Sequence, residues 1–198
     1  MARKAAAGGS ARKQIAQLEK SIRADKVKLA KLRAKSPLEK VGDYTFVGPL
    51  GERLTLSELF GNRHELILVH NMGRSCPHCT MWADGFNGLL PHLEDRAAFV
   101  LESADDAQTQ RRWASDRGWR FRMVSSRGTS FKADLGYADE DGDPMPGVSS
   151  FIKRNGEIFR AAHTRFGPGD NFCVTWDLFD MLPTPPKTWG PRFRYLQG

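Results

Sequence analysis

The sequence predicts an α/β fold, in which helices flank a central mixed β-sheet, with a long N-terminal helix and an irregular C-terminal tail. From residue 44 onwards, short apolar runs that are typical of buried strands alternate with helical patterns. A length of 198 residues with 40% hydrophobic content is sufficient for one complete core. The pair Asn155-Gly156 marks a tight hairpin near the end of the chain. This order of elements favours a mainly parallel sheet that ends in an antiparallel hairpin.

The chain is predicted to have three parts: a basic helical extension over 1–40, a folded domain over 41–182 and a Pro- and aromatic-rich tail over 183–198. The extension holds 12 Lys and Arg against three acids, a net charge of +9. The remaining residues, 41–198, hold 18 basic and 20 acidic side chains, a net charge of −2. The overall net charge of +7 therefore comes from the extension and not from the rest of the chain. Nucleic acid is not an expected partner, because such charge more often marks a solvated helical face.

Residues 11–35 are predicted to form one helix. Its apolar side chains follow a heptad pattern that Asp25 interrupts, at Ile15, Leu18, Ile22, Leu29 and Leu32. Two interpretations stay open: the helix lies on its own domain, or it forms a homodimer through this seam.

The domain is predicted to alternate strands, at 44–47, 66–70, 97–103 and 121–125, with helices, at 57–60, 79–93, 105–117 and 130–135. The strands are predicted from short apolar runs, and the helices from capping residues at their ends. Ser57 is the expected N-cap of the first helix, Asp105 or Asp106 that of the third, and Gly118 ends the third.

The end of the chain is predicted to form a hairpin, a helix and a packed tail. The hairpin strands cover 150–152 and 157–161 around the turn KRNG. A last helix is expected over 170–182, with Asp170 or Asn171 as its cap. The tail that follows carries three aromatic residues that we expect to pack against the protein: Trp189, Phe193 and Tyr195.

Two cysteines, Cys76 and Cys79, lie two residues apart in the stretch RSCPHC, directly after the apolar run 66–70. The predicted boundaries place them past the end of a central strand, at the first turn of the next helix. A helix N-terminus exposes unpaired N–H groups and about half a positive charge, which favours a thiolate over a thiol. Pro77 suits this turn because the amide hydrogen that it lacks would have no partner there.

This placement predicts thiol–disulfide chemistry. Cys76 is the expected nucleophile, Cys79 the resolving thiol, and His78 the residue that tunes the thiolate. A structural zinc needs four ligands, and the other candidates are scattered along the sequence, at His70, His92, His163 and Cys173. Zinc binding and inert packing stay as alternatives, and no cofactor or metal is expected.

The stretches ELILVHNMGRSCPHC, WADGFNG, RGWRFRMVSS and VSSFIKRNGEIF carry a family resemblance. Residues 41–182 resemble the bacterial thioredoxin-like proteins designated domain of unknown function 899, and GDYTFVGPLGERLTLSELFG resembles a peroxiredoxin N-terminal extension. The resemblance implies a thioredoxin-like fold. The sequence departs from thioredoxins at the usual cis-proline, where Val148 or Ser149 stands because Pro146 falls too early. It also has His70 where thioredoxins carry a buried carboxylate, six residues before Cys76.

His70 is therefore a candidate proton acceptor for Cys79, and the alternative is a histidine that is hydrogen-bonded in the core. The expected function is a dithiol–disulfide oxidoreductase that acts on protein or small-molecule thiols and disulfides. A thiol peroxidase of peroxiredoxin type and a non-catalytic thioredoxin-fold binding module are the alternatives. A cytoplasmic location is expected, since the sequence has neither a secretory signal nor a run of about 18 apolar residues.

Overall fold

The computed structural model describes residues 2–184 and 189–195, which form two compact units, Met1–Pro37 and Leu38–Gly198. The first unit is one helix, α1 (Ala2–Lys35), which begins well before its predicted start at residue 11. The helix continues through Gly9 and Ser10 despite the low helix propensity of glycine. The apolar heptad side chains of α1 are all more than 40% exposed. The homodimer through this helix stays a prediction.

The second unit contains a mixed sheet with eight strands in the part of the chain that the structure describes. The strands are β1 (Glu39–Val41), β2 (Thr45–Val47), β3 (Arg53–Thr55), β4 (Glu65–Asn71), β5 (Ala98–Ser103), β6 (Arg122–Ser125), β7 (Gly147–Arg154) and β8 (Glu157–Arg165). Their order across the sheet is β1-β8-β7-β4-β5-β6-β2-β3. β4, β5 and β6 are parallel, whereas β7 runs antiparallel to β4. The predicted fold class is confirmed.

The helices of this unit are α2 (Leu56–Leu59), α3 (Pro77–Arg96), α4 (Ala107–Arg117), α5 (Phe131–Asp134) and α6 (Val174–Asp180). Asp106 caps α4, and Gly118 ends it in the left-handed conformation, as predicted. Ser57 is not the N-cap of α2. Thr55 takes that place because its hydroxyl accepts from the Glu58 N–H while the Glu58 carboxylate accepts from the Thr55 N–H, a capping box.

The last helix is shorter than predicted, and neither Asp170 nor Asn171 caps it. The Asp170 carboxylate instead accepts from the N–H groups of Gly167 and Phe172, at 3.1 and 2.8 Å. These bonds hold a turn before the helix, so α6 starts only after Cys173.

Two of the three aromatic residues of the C-terminal tail contact rings elsewhere in the second unit, whereas Tyr195 is 58% exposed. Trp189 lies edge-on to Phe179, with ring centroids 4.6 Å apart, and Phe193 lies edge-on to Trp113 at 5.6 Å. Residues 185–188 and 196–198 of the predicted tail lie outside the described residues.

Apolar layers cover both faces of the sheet. Side chains alternate along β4, so that Leu66 and Leu68 join one layer with Phe131 of α5, while Val69 joins the other layer with Trp82 of α3. Burial of a side chain of this size contributes about 1.5–3 kcal/mol. The central strand β4 is therefore packed on both faces, and this packing holds its C-terminal end, where the cysteine loop begins, in place. No helix among the described residues combines the length and the apolar character that a bilayer crossing requires.

Candidate active site at the end of the central strand

A short loop connects the end of β4 to α3, and hydrogen bonds to its backbone fix its path. The Asn71 side-chain oxygen accepts from the Gly73 N–H, and the Asp105 carboxylate accepts from the Arg74 N–H, both at 2.7 Å. Gly73 has a φ of +107°, and a Cβ at this position would lie 2.8 Å from the Asp105 carboxylate. The loop therefore requires glycine here for its conformation and for the close approach of Asp105.

Cys76 is the N-cap residue of α3 and is half-buried. Its sulfur accepts a hydrogen bond from the Cys79 N–H at 3.1 Å, and Pro77 occupies the first helical position, as the sequence predicts. A hydrogen bond from the Cys79 thiol lowers the pKa of Cys76 to about 7, with smaller contributions from the N–H groups of Cys79 and His78 and an opposing effect of burial. Cys76 is therefore partly ionised at neutral pH.

Cys79 lies one turn further along α3 and is only 2% exposed. Its pKa is raised, first by its hydrogen bond to Cys76 and then by burial and by the charge of the Cys76 thiolate. The two sulfurs thus differ in character. The outer one is half-buried and partly ionised at neutral pH, and the inner one is a buried, protonated thiol that stabilises the thiolate form of the outer one.

The His78 ring lies between two indoles, with its centroid 6.2 Å from both Trp82 and Trp176. Its effect on the pKa of Cys76 comes through its backbone N–H. The structure thus brings Cys76, His78 and Cys79 together in one turn of helix.

His70 lies on the face of the sheet opposite α3 and is completely buried. Its ring stacks on Tyr137 with centroids 3.6 Å apart, and its Nε2 atom lies 2.9 Å from the Ser149 hydroxyl. Its Nδ1 atom lies 3.3 Å from the Glu102 carboxylate, without a well-aligned hydrogen bond. Burial lowers the pKa of His70 to about 4 against the opposing effect of Glu102, so the ring is neutral at pH 7. Its role as proton acceptor stays a prediction.

Three residues at this end of the sheet were not identified from the sequence: Asn71, Glu102 and Lys132. Lys132 Nζ lies 3.1 Å from a Glu102 carboxylate oxygen and donates to the Asn71 carbonyl at 3.1 Å. Burial raises the pKa of Glu102, but Lys132, His70 and the Ser126 hydroxyl together outweigh it, and the net direction is down. A charged residue at the end of the apolar run AFVLES is the one signal that could have identified Glu102.

Among residues 2–184 and 189–195, no group of three or more His, Cys, Asp or Glu side chains is arranged to hold a metal ion. The cysteine pair therefore has no third ligand of these types beside it in the described structure.

The family model described as "Bacterial protein of unknown function (DUF899)" matches residues 4–188. The chain belongs to this family. No curated protein matches this DUF899 chain.

Solved structures of peroxiredoxins share the fold. Peroxidoxin BcpB from Mycobacterium tuberculosis is 22% identical, with a TM-score of 0.52 over 62% of this chain and 80% of its own. A yeast mitochondrial 1-Cys peroxiredoxin is 15% identical, with a TM-score of 0.53 over 72% of this chain and 73% of its own. A peroxiredoxin-like protein from Aquifex aeolicus is 12% identical, with a TM-score of 0.51 over 65% and 74%. At these identities the likeness establishes the thioredoxin-like fold of the DUF899 chain.

Proposed function

We propose that the chain is a dithiol–disulfide oxidoreductase in which Cys76 is the nucleophile and Cys79 the resolving thiol. The asymmetry of the pair carries this proposal. Cys76 is half-buried and has a lowered pKa, whereas Cys79 is buried behind it and has a raised pKa. An attacking thiol is most effective when its pKa is close to the ambient pH, and the value of about 7 for Cys76 meets this condition.

The reaction proceeds in two exchanges. The Cys76 thiolate attacks one sulfur of a substrate disulfide, forms a mixed disulfide with it and expels the other sulfur as a thiolate. Cys79 then loses its proton and attacks the Cys76 sulfur, which releases the second substrate thiolate and closes the Cys76–Cys79 disulfide. That proton passes to the departing thiolate. The substrate gains two electrons and becomes one thiol and one thiolate, and the protein loses the same two electrons.

The surroundings of Cys76 indicate the substrate class. Cys76 and Trp176 pack against the same apolar cluster, and the Trp176 indole lies 6.2 Å from the ring of His78, two residues after Cys76, so the nucleophile has aromatic and apolar groups near it. Protein or small-molecule disulfides are the substrates that we propose, and His78 is proposed to tune the thiolate through its backbone N–H.

Reduction of insulin or glutathione disulfide, with dithiothreitol to regenerate the protein, tests this function. We expect turnover by the wild type, none by Cys76→Ser, and a trapped mixed disulfide in Cys79→Ser that mass spectrometry detects. Cys173→Ser is the matched control and should retain turnover, because Cys173 is buried at the N-cap of α6. An inactive wild type, or an active Cys76→Ser variant, would contradict the proposal.

A thiol peroxidase is the second candidate, and the peroxiredoxin names of the similar structures favour it. In that reaction Cys76 attacks a hydroperoxide, becomes a sulfenic acid and releases an alcohol or water. Cys79 then displaces water from the sulfenic sulfur to form the same disulfide. In a single turnover, peroxide consumption that is faster than disulfide exchange and depends on Cys76 but not on Cys79 would favour this candidate. A wild type without either activity would instead support a non-catalytic binding module.

A further inference from the structure

A buried ion pair lies at the end of the sheet that carries the cysteine loop. Glu102 of β5 is completely buried, and Lys132 of α5 is 7% exposed. Removal of two charges from water costs several kcal/mol for each ion, and apolar residues of similar size are often at least as stabilising. Stability alone therefore gives no reason for charges at these two positions.

The Lys132 ammonium is directed at the loop that leads to the cysteines. It donates a hydrogen bond to the Asn71 carbonyl at 3.1 Å, at the last residue of β4. The Asn71 side-chain amide in turn donates to the Cys79 carbonyl at 3.4 Å. One residue thus connects the buried cation to the backbone of the resolving cysteine.

The charge of Lys132 also acts on the Cys79 sulfur, where it favours the thiolate and lowers the pKa against the larger opposing effects. The other titratable group that acts on Cys79 is Cys76, on its own helix. Around Lys132 itself, β5 contributes Glu102, and Glu102 has His70 of β4 on its other side. His70 is neutral at pH 7, so Lys132 supplies the positive charge beside Glu102, and Arg160 of β8 is a further cation, which acts on His70.

We propose that Lys132 is a positioning residue of the second exchange: held by Glu102, it anchors the Asn71 backbone and favours the thiolate of Cys79 as that thiolate attacks the mixed disulfide. This inference rests on the proposed dithiol–disulfide function. In this proposal the residue that assists Cys79 is the cation Lys132 of α5, and not the candidate base His70 of β4. The first exchange, at Cys76, does not depend on it, because Lys132 is not among the groups that shift the pKa of Cys76.

The two exchanges can be followed separately with a substoichiometric amount of 5,5′-dithiobis(2-nitrobenzoate). Attack by Cys76 releases one thionitrobenzoate, and attack by Cys79 releases the second. In a Cys173→Ala background, Cys76 and Cys79 are the two thiols that can react with the reagent. Lys132→Met removes the charge and keeps the length of the side chain. Lys153→Met is the matched control, since Lys153 lies over the Phe60 ring instead.

We expect Lys132→Met to slow the second release about threefold to tenfold at pH 7, because the Cys79 thiolate loses a positive charge that favours it, a loss that higher nucleophilicity offsets in part. The pH midpoint of this release should rise, and the first release should keep its rate and its midpoint. Lys132→Arg should restore part of the second rate, and Lys153→Met should match the wild type.

Lys132→Met leaves the Glu102 carboxylate buried without its partner, which can unfold the protein. The double variant Lys132→Met/Glu102→Gln removes both charges, and it should fold and show the same slow second release. A second release with the wild-type rate and pH profile in the folded variant would overturn the role of Lys132, as would an equal loss in both releases. A wild type whose first release is no faster than that of free cysteine would instead refute the proposed function.

Discussion

The sulfur of Cys76 accepts a hydrogen bond from the backbone N–H of Cys79 at 3.1 Å, inside the first turn of α3. This one bond serves two purposes. It satisfies a helix N–H that has no partner within the helix, and it places a hydrogen-bond donor on the atom that would carry the thiolate charge. The stability of α3 and the ionisation of Cys76 are therefore coupled.

Alkylation of Cys76 should reach half of its maximal rate near pH 7, because its pKa is about 7. An unperturbed cysteine has a midpoint at about 8.5, so at pH 6 the thiolate fraction of Cys76 is about 30-fold larger. Iodoacetamide labelling from pH 5 to 9, followed by mass spectrometry, measures this. Cys79 and Cys173 should label slowly, because both are buried.

A Cys79→Ala variant provides the control for that midpoint. The Cys79 thiol is the largest cause of the lowered pKa, and its removal should shift the Cys76 midpoint to higher pH. An unchanged midpoint would mean that the helix backbone alone ionises Cys76.

Replacement of the N-cap should separate the structural from the chemical purpose of Cys76. Cys76→Ala removes the side-chain acceptor and should lower the free energy of unfolding by about 1 kcal/mol relative to Cys76→Ser, because serine is a favoured N-cap. Both variants lack the nucleophile and should be equally inactive. Urea denaturation of the reduced proteins measures the difference, and equal stabilities would show that the cap contributes nothing.

Gly147 is required where β7 passes close to β8 and to the Tyr137 ring. A Cβ at this position would overlap the Thr164 carbonyl oxygen and the Tyr137 ring, the same ring that stacks on His70. Gly147→Ala should therefore lower the free energy of unfolding by about 2 kcal/mol or more. Gly85→Ala is the matched control: no atom lies within 4 Å of its Cβ, and the change should add about 0.5–1 kcal/mol as helix propensity improves. Thermal or urea unfolding that ranked the two variants in the opposite order would contradict this account.

The sequence predicts the central part of this fold because the signals there are local. Long apolar runs identify β4 and β5, and Asn155-Gly156 identifies the hairpin, with both residues at positive φ. The strand β1 was missed because three residues show no periodicity and its pairing is distant in sequence, as between Glu39 and Arg160.

The candidate site also has a part that local sequence predicts and a part that it does not. Cys76 and Cys79 are neighbours on one helical turn, so their spacing already predicts the pair. The pairing of His70 with Glu102 depends on the register of two parallel strands, and the approach of Lys132 depends on how α5 packs. No pattern in the sequence specifies either distance, because both result from tertiary packing.

The buried imidazole of His70 should make stability depend on pH in a defined window. Its pKa is about 4 in the folded protein and about 6.5 in the unfolded chain, so between these values the unfolded chain binds more protons. The stabilisation is complete above about pH 6.5 and is lost as the pH falls towards 4, by an amount on the order of 3 kcal/mol.

Urea denaturation at pH 7.5 and pH 4.5 measures this loss, and His70→Gln should reduce the difference between the two pH values. His92→Gln is the matched control, because His92 is exposed on α3 and its replacement should leave the pH dependence of the wild type unchanged. Burial raises the pKa of Glu102 but the net direction is down, so its own contribution to stability begins to be lost only as the pH falls through the ordinary pKa of a glutamate, about 4.3. If His70→Gln retained the full difference between pH 7.5 and pH 4.5, the acid sensitivity would have to originate from carboxylates elsewhere in the fold.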